Sequence, residues 1–251
     1  MKNQQHNTKK MAFKTLLAVL FFAVGPINLV YAQAVAEAKT TPIGTAKIWG
    51  TIDNVSVEGV AQGPSAQVTP LQIACVFEYT DGDIFTAPPA LPAALNGMVH
   101  LDEAFKGLIT QLRKTGNFEG HALETLLITP PAGTLGAKKL LLIGLGNRNA
   151  FTPELMSAVA KVAMREALRL NVTSFAFASD LKDAGIDSPT ALVAKYEVQG
   201  LFEAYRTESF LKSKKMTDFK PLTKVTLLAG TAFFAVAGEG IQEAIATMNK
   251  K

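Results

Sequence analysis

Five short apolar runs constrain this chain more than any other feature: Leu71–Tyr79, Leu123–Thr129, Lys139–Leu145, Val172–Ala178 and Val225–Ala229. None alternates cleanly between apolar and polar residues. A strand that is apolar on both sides has to be covered on both sides, which is the situation of a parallel or mixed sheet between helices. The intervening segments carry helix signals. Leu101–Lys114 repeats apolar residues at Leu101, Ala104, Phe105, Leu108 and Leu112, which predicts one helix. Thr152-Pro153-Glu154 combines a capping residue, a first-turn proline and an acid at the positive end of the dipole, and opens a helix to about Leu170. Ser188-Pro189 opens another towards Leu211, and Ile241, Ala244, Ile245 and Met248 form one stripe of a closing helix. Lys47–Val60 is β-rich and broken at Gly50 and Asp53-Asn54, so a hairpin is expected there. The fold class is α/β: a mixed β-sheet flanked by helices on both faces.

The first residues belong to a different kind of segment. Met1–Lys14 holds four lysines and no acid, Thr15–Val24 is apolar, Gly25-Pro26 breaks a helix, and Val30-Tyr31-Ala32 offers a cleavage site. Residues 1–32 therefore read as a signal peptide, since a membrane span needs roughly twenty apolar residues. The expected location is the bacterial periplasm or the exterior, with no stable span after cleavage. Residues 33–65 read as a tail with the hairpin, and residues 66–251 as the domain. The chain has 25 basic and 21 acidic residues, and the four lysines of the leader account for the whole excess. The pI of about 9.1 thus belongs to the leader and gives no reason to expect a nucleic-acid partner. Cys75 is the single cysteine and lies in an apolar run, so the core must hold the fold without a disulfide.

The segment Lys138–Glu154 is the most suggestive chemically. A strand runs into Gly144-Leu145-Gly146, then Asn147-Arg148-Asn149, then a helix start. Glycines let backbone amides approach a phosphate and Arg148 adds a cation, which makes Gly144, Gly146, Asn147, Arg148 and Asn149 the candidate ligand-binding residues. The dinucleotide pattern wants a third glycine where Asn149 stands, and a tight strand-to-helix turn explains the same glycines. His100–Glu103 and His121–Glu124 each place a histidine three residues from a carboxylate, but a zinc site needs three or four converging ligands. Neither a metal nor another cofactor is expected. Lys212–Lys215 reads as a solvated basic end.

Taken together, LQIACVFEY (71–79), LDEAFKGLITQLRKTGNFEGHALETLLIT (101–129), KKLLLIGLGNRNAFTPE (138–154), NVTSFAFA (171–178) and VQGLFEAYRTESFLK (198–212) resemble the amino-terminal domain of the leucine (cytosol) aminopeptidase family. The Leu101-Asp-x-Ala104 start, the Gly116–Gly120 turn, Gly144-Leu-Gly146 and the Gly200–Arg206 segment carry the likeness. It implies a macrodomain-like fold. In that family the closing helix leads to a second domain holding two metal ions and an Asn-Thr-Asp…Glu-Gly-Arg segment. Neither triplet occurs in this sequence. Two-metal hydrolysis needs converging carboxylates, so no catalytic residue can be carried over and aminopeptidase activity is not expected.

Three functions follow from this reading. The first is a non-catalytic binding or interaction module, assembling with itself or with an envelope protein; the stripe of the closing helix must fold back, pair with a second copy or bind a partner. The second is a receptor for a small nucleotide or ADP-ribose-like ligand, using a cleft rimmed by residues 80–97 and 144–149. The third is a hydrolase by family label only.

Overall fold

The structure, a computed structural model, describes residues 40–81, 83 and 91–250. The leader at 1–32 and the first part of the tail lie outside the described residues. Seven strands form one sheet: β1 (Ala46–Ile52), β2 (Val55–Ala61), β3 (Gln72–Val76), β4 (Thr125–Ile128), β5 (Leu140–Gly144), β6 (Ser174–Ala178) and β7 (Lys224–Ala229). Their spatial order is β1-β2-β7-β6-β3-β5-β4. The five inner strands run parallel, and the two edge strands, β1 and β4, pair antiparallel to their neighbours.

Successive residues of β3 and β5 enter opposite cores, which is why these two runs are apolar throughout. Ile73, Cys75, Leu141 and Ile143 join one core, which takes in α3 (Leu155–Arg169), α4 (Thr190–Ser213) and α5 (Phe234–Met248). Ala74, Val76, Leu140 and Leu142 join the other, under α1 (Gly97–Ala104) and α2 (Leu108–Lys114). The expected mixed sheet with helices on both faces is the fold observed.

The structure corrects one expectation and sharpens two others. The helix read over Leu101–Lys114 is two helices. Lys106 (φ 56°) and Gly107 (φ 82°) take left-handed backbone between them. The buried carboxylate of Asp102 accepts the amides of Ile109 and Thr110 at 2.9 and 3.2 Å and the Thr110 hydroxyl at 2.6 Å, so it caps the second helix from within the first. The hairpin belongs to the sheet, because β2 pairs along its length with β7, so the structural unit starts upstream of residue 66. Asp53 and Asn54 turn it with φ of 49° and 65°, as a tight two-residue hairpin loop requires. The stripe of the closing helix folds back onto its own chain: Ile241, Ala244 and Met248 are fully buried, and Ile245 packs over Gly50. That removes the reason for assigning a partner to this stripe.

Candidate ligand-binding cleft

The parallel strands β3, β5 and β6 end side by side, and a cleft opens beyond their carboxyl ends, where open α/β sheets place ligands. It is lined by Cys75, Val76 and Phe77 from the end of β3, Met98 from α1, Arg113 from α2, Arg148 from the turn after β5, and Asp180, Asp183 and Ala184 from the loop after β6; Asp83 completes it. About 20 Å³ is enclosed room for water, and the free space reaches about 340 Å³ with the open mouth included. The enclosed part holds about one or two waters, so any larger ligand would sit in the open mouth.

Each polar group in the lining is held by a local constraint. Asp180 sits in left-handed backbone (φ 55°) and accepts the amide of Cys75 at 3.1 Å. Asp183 accepts the amide of Met98 at 3.3 Å, while its own carbonyl receives the Asn96 side chain at 3.0 Å. Asn96 also caps α1 by accepting the amides of Met98 and Val99. Arg148 donates to the carbonyl of Ala184 at 2.7 Å. Arg113 donates to the carbonyl of Phe77 at 3.0 Å, and both of its terminal nitrogens reach Asp83. Its Nε is sealed from solvent and finds no acceptor among the described residues.

Burial raises the proton affinity of Asp183, Asp180 and Glu197. Burial pushes Asp183 up to about 6, against the pull of the Met98 and Gly97 amides. Asp180 lines the cleft but is starved of water, and burial followed by the charge of Asp183 lifts it well above the carboxylate range. Glu197 lies in the layer beneath, 5% exposed, and burial pushes it up to about 8 despite a bond from Ser179. Burial, then Asp180 and Glu197, also raises the Cys75 thiol, so this cysteine is a poor nucleophile.

Of the five residues singled out in the sequence, Arg148 alone lines this cleft. The amides of Gly144 and Gly146 are taken by the carbonyls of Glu124 and Gly120, at 2.8 and 2.9 Å. A Cβ on Gly144 would fall 2.0 Å from the carbonyl oxygen of His121, so this glycine admits the Gly120–Glu124 loop across the strand end. Asn147 is exposed and caps the short turn by accepting the amide of Asn149 at 2.9 Å. Glu124 gathers the amides of Glu119, Gly120 and His121, and His121 bridges Glu78 and Glu119. Among the described residues, no three His, Cys, Asp or Glu side chains converge as metal ligands. Sequence reading missed Asp180, Asp183 and Arg113. Two carboxylates three residues apart directly after an apolar strand were the available signal.

The model of the cytosol aminopeptidase family, N-terminal domain, matches residues 84–214, just over half of the sequence. The chain belongs to the cytosol aminopeptidase family. A protein named "Probable cytosol aminopeptidase" from Roseiflexus castenholzii is 32% identical over 140 residues, covering 56% of this chain and 28% of the relative. One of the same name from Burkholderia mallei is 29% identical over 170 residues, covering 66% and 32%. The chain thus spans about a third of the length of these relatives. Among solved structures, a tomato leucine aminopeptidase variant superimposes with a TM-score of 0.57 at 17% identity, over 80% of this chain and 37% of that one. An Oceanobacillus iheyensis macrodomain with MES bound gives 0.51 at 15% identity, over 81% and 98%, and the macrodomain solved with ADP gives 0.50 at 16%, over 82% and 97%. At these identities the likeness concerns the fold, and the fold is macrodomain-like.

Proposed function

We propose that this chain is an exported, non-catalytic binding module, and that its working surface is the cleft beyond β3, β5 and β6. The observation that carries the reading is the convergence there of Arg113, Arg148, Asp180 and Asp183, each positioned by backbone bonds. Export rests on the charge and hydropathy pattern of residues 1–32. The non-catalytic reading is supported by the family match, which is to the N-terminal domain, and by the raised Cys75 thiol. A nucleotide is a weaker fit, because the Gly144 and Gly146 amides already have partners.

The test is a titration of the purified, isotopically labelled protein with amino acids, short peptides and nucleotides, followed by amide NMR. Shifts are expected at 75–77, 98, 148 and 180–184. A spectrum unmoved by every compound at saturation would remove the cleft as a working site. N-terminal sequencing of the protein recovered from the envelope should begin at Gln33, and a fluorogenic peptide assay with manganese or zinc should stay at background.

A second reading is assembly with another protein or another copy, favoured by Leu123 and Leu127, which stand 39% and 42% exposed at the open edge beside β4. Light scattering at high concentration checks it; a single monomeric mass argues against self-association.

A further inference from the structure

The basic run Lys212–Lys215 lies at the end of α4, and its lysines do different things. Lys212 is spent within the protein: it pairs with Asp218 at 2.9 Å and donates to the carbonyl of Phe219. Lys214 and Lys215 are exposed, and among the described residues neither pairs with a carboxylate. The helix closes here in a left-handed cap. Lys215 has φ 59°, its amide reaches the carbonyl of Lys212 at 2.9 Å, and the amide of Met216 reaches that of Leu211 at 3.0 Å. In such a cap an apolar residue at the position of Met216 commonly packs back against the last turn. Met216 instead stands 75% exposed, and Phe210 on that last turn is 61% exposed. Lys214 lies over the Phe210 ring, with its Nζ 5.3 Å from the centroid. The helix dipole alone explains cations at this end. It does not explain a bare phenylalanine and methionine set among them.

We infer that this end of α4 is a docking tip for an anionic phospholipid bilayer. Phe210 and Met216 enter the boundary between headgroups and acyl chains, while the ammonium groups of Lys214 and Lys215 meet the lipid phosphates. Charge and apolarity together select the occupant. A nucleic-acid backbone would use the lysines and leave both apolar side chains idle, whereas a bilayer takes all four. Each lysine near such a surface strengthens partitioning about fivefold, so the attachment is reversible and salt-sensitive. The contact is peripheral, since no described helix is long and apolar enough to cross a membrane. The tip leads into the amino end of β7, whereas the cleft opens beyond the carboxyl ends of the parallel strands. Docking here therefore leaves the cleft mouth clear of the bilayer.

Vesicle sedimentation tests it, with vesicles of equal parts phosphatidylglycerol and phosphatidylcholine against phosphatidylcholine alone. The purified protein should partition at least about tenfold more strongly onto the anionic vesicles, and less so as salt rises from about 0.1 M to about 0.5 M. Lys214→Glu combined with Lys215→Glu should lower that partitioning about tenfold, and Phe210→Ser combined with Met216→Ser about fivefold. Any contribution of residues 1–32 is the same in every variant, so a loss on substitution belongs to the tip. Amide exchange of the unaltered protein gives a second readout that needs no variant: residues 210–217 should slow on anionic vesicles. Vesicle binding that both double variants retain would overturn the inference, and so would no binding to anionic vesicles. Binding of a DNA duplex in place of vesicles, unchanged by the two serines, would overturn it as well and mark the lysines as a polyanion site.

Discussion

Arg113 grips Asp83 with both ends of its guanidinium, Nη1 to Oδ2 at 2.5 Å and Nη2 to Oδ1 at 3.1 Å, and the two side chains are 1% and 9% exposed. Removing one partner of such a pair strands the other charge, whereas removing both can be close to neutral. Arg113→Met should therefore cost about 3–5 kcal/mol, and adding Asp83→Leu should recover most of it. Urea denaturation of single and double variants tests this. Equal losses in the two would mean that Arg113 acts by packing alone.

Glu197 makes stability depend on pH. Its proton affinity rises from a pKa of 4.5 to about 8 on folding, so between those values the folded state holds a proton that the unfolded state has released. Stability from this group is complete below about pH 4.5 and is lost as pH rises towards 8. Asp183, raised from 3.8 to about 6, contributes in the same direction over its own window. Glu197→Gln should gain stability relative to the unaltered protein at pH 8 compared with pH 5. Parallel denaturation midpoints at the two pH values, with no change in their difference, would refute the assignment.

Gly200 is where α4 crosses α3. A Cβ there would meet the carbonyl oxygen of Ser157 at 2.2 Å. Alanine is normally the better helix former by about 1 kcal/mol, so helix propensity alone predicts a gain for Gly200→Ala. Overpacking against backbone should win, with a net loss of about 1–3 kcal/mol. Gly230→Ala, whose nearest neighbour would be Phe233 at 3.4 Å, should stay within about 0.5 kcal/mol.

Asp102 should prove more sensitive than a surface cap. Asp102→Ala deletes three bonds at the start of α2 and leaves two buried or half-buried amides unmet, which should cost about 2 kcal/mol. Amide exchange at Ile109 and Thr110 should accelerate first. Unchanged protection there would show that neighbouring packing, not the carboxylate, holds the second helix.

How much of this was legible before the fold was known depends on where the information resides. β3 and β5 were readable because burial on both faces writes a continuous apolar run, and the hairpin because Asp53-Asn54 suits its turn. The break at Lys106–Gly107 was hidden: Leu108 and Leu112 keep the helical spacing of Leu101 and Phe105, and the cap comes from Asp102, seven residues upstream of Ile109. The glycines of the turn after β5 were visible, but their reason is the passage of another loop, a contact made across more than twenty residues. The cleft was the least legible part. Its charges come from four separate segments, and the pairing of Arg113 with Asp83 spans thirty positions. No local pattern encodes such a meeting.

The parallel registry of β2 with β7 sets an order on how the molecule comes into being. Residues 55–61 leave the ribosome well before their inner neighbour, 224–229, is made. Until it arrives the hairpin has one side of β2 unclothed, and Trp49 waits for Gly238 of α5, whose absent side chain leaves room for the indole. This flank of the sheet is thus a long-range pairing, of the kind that slows folding and leaves a strand edge exposed in the meantime.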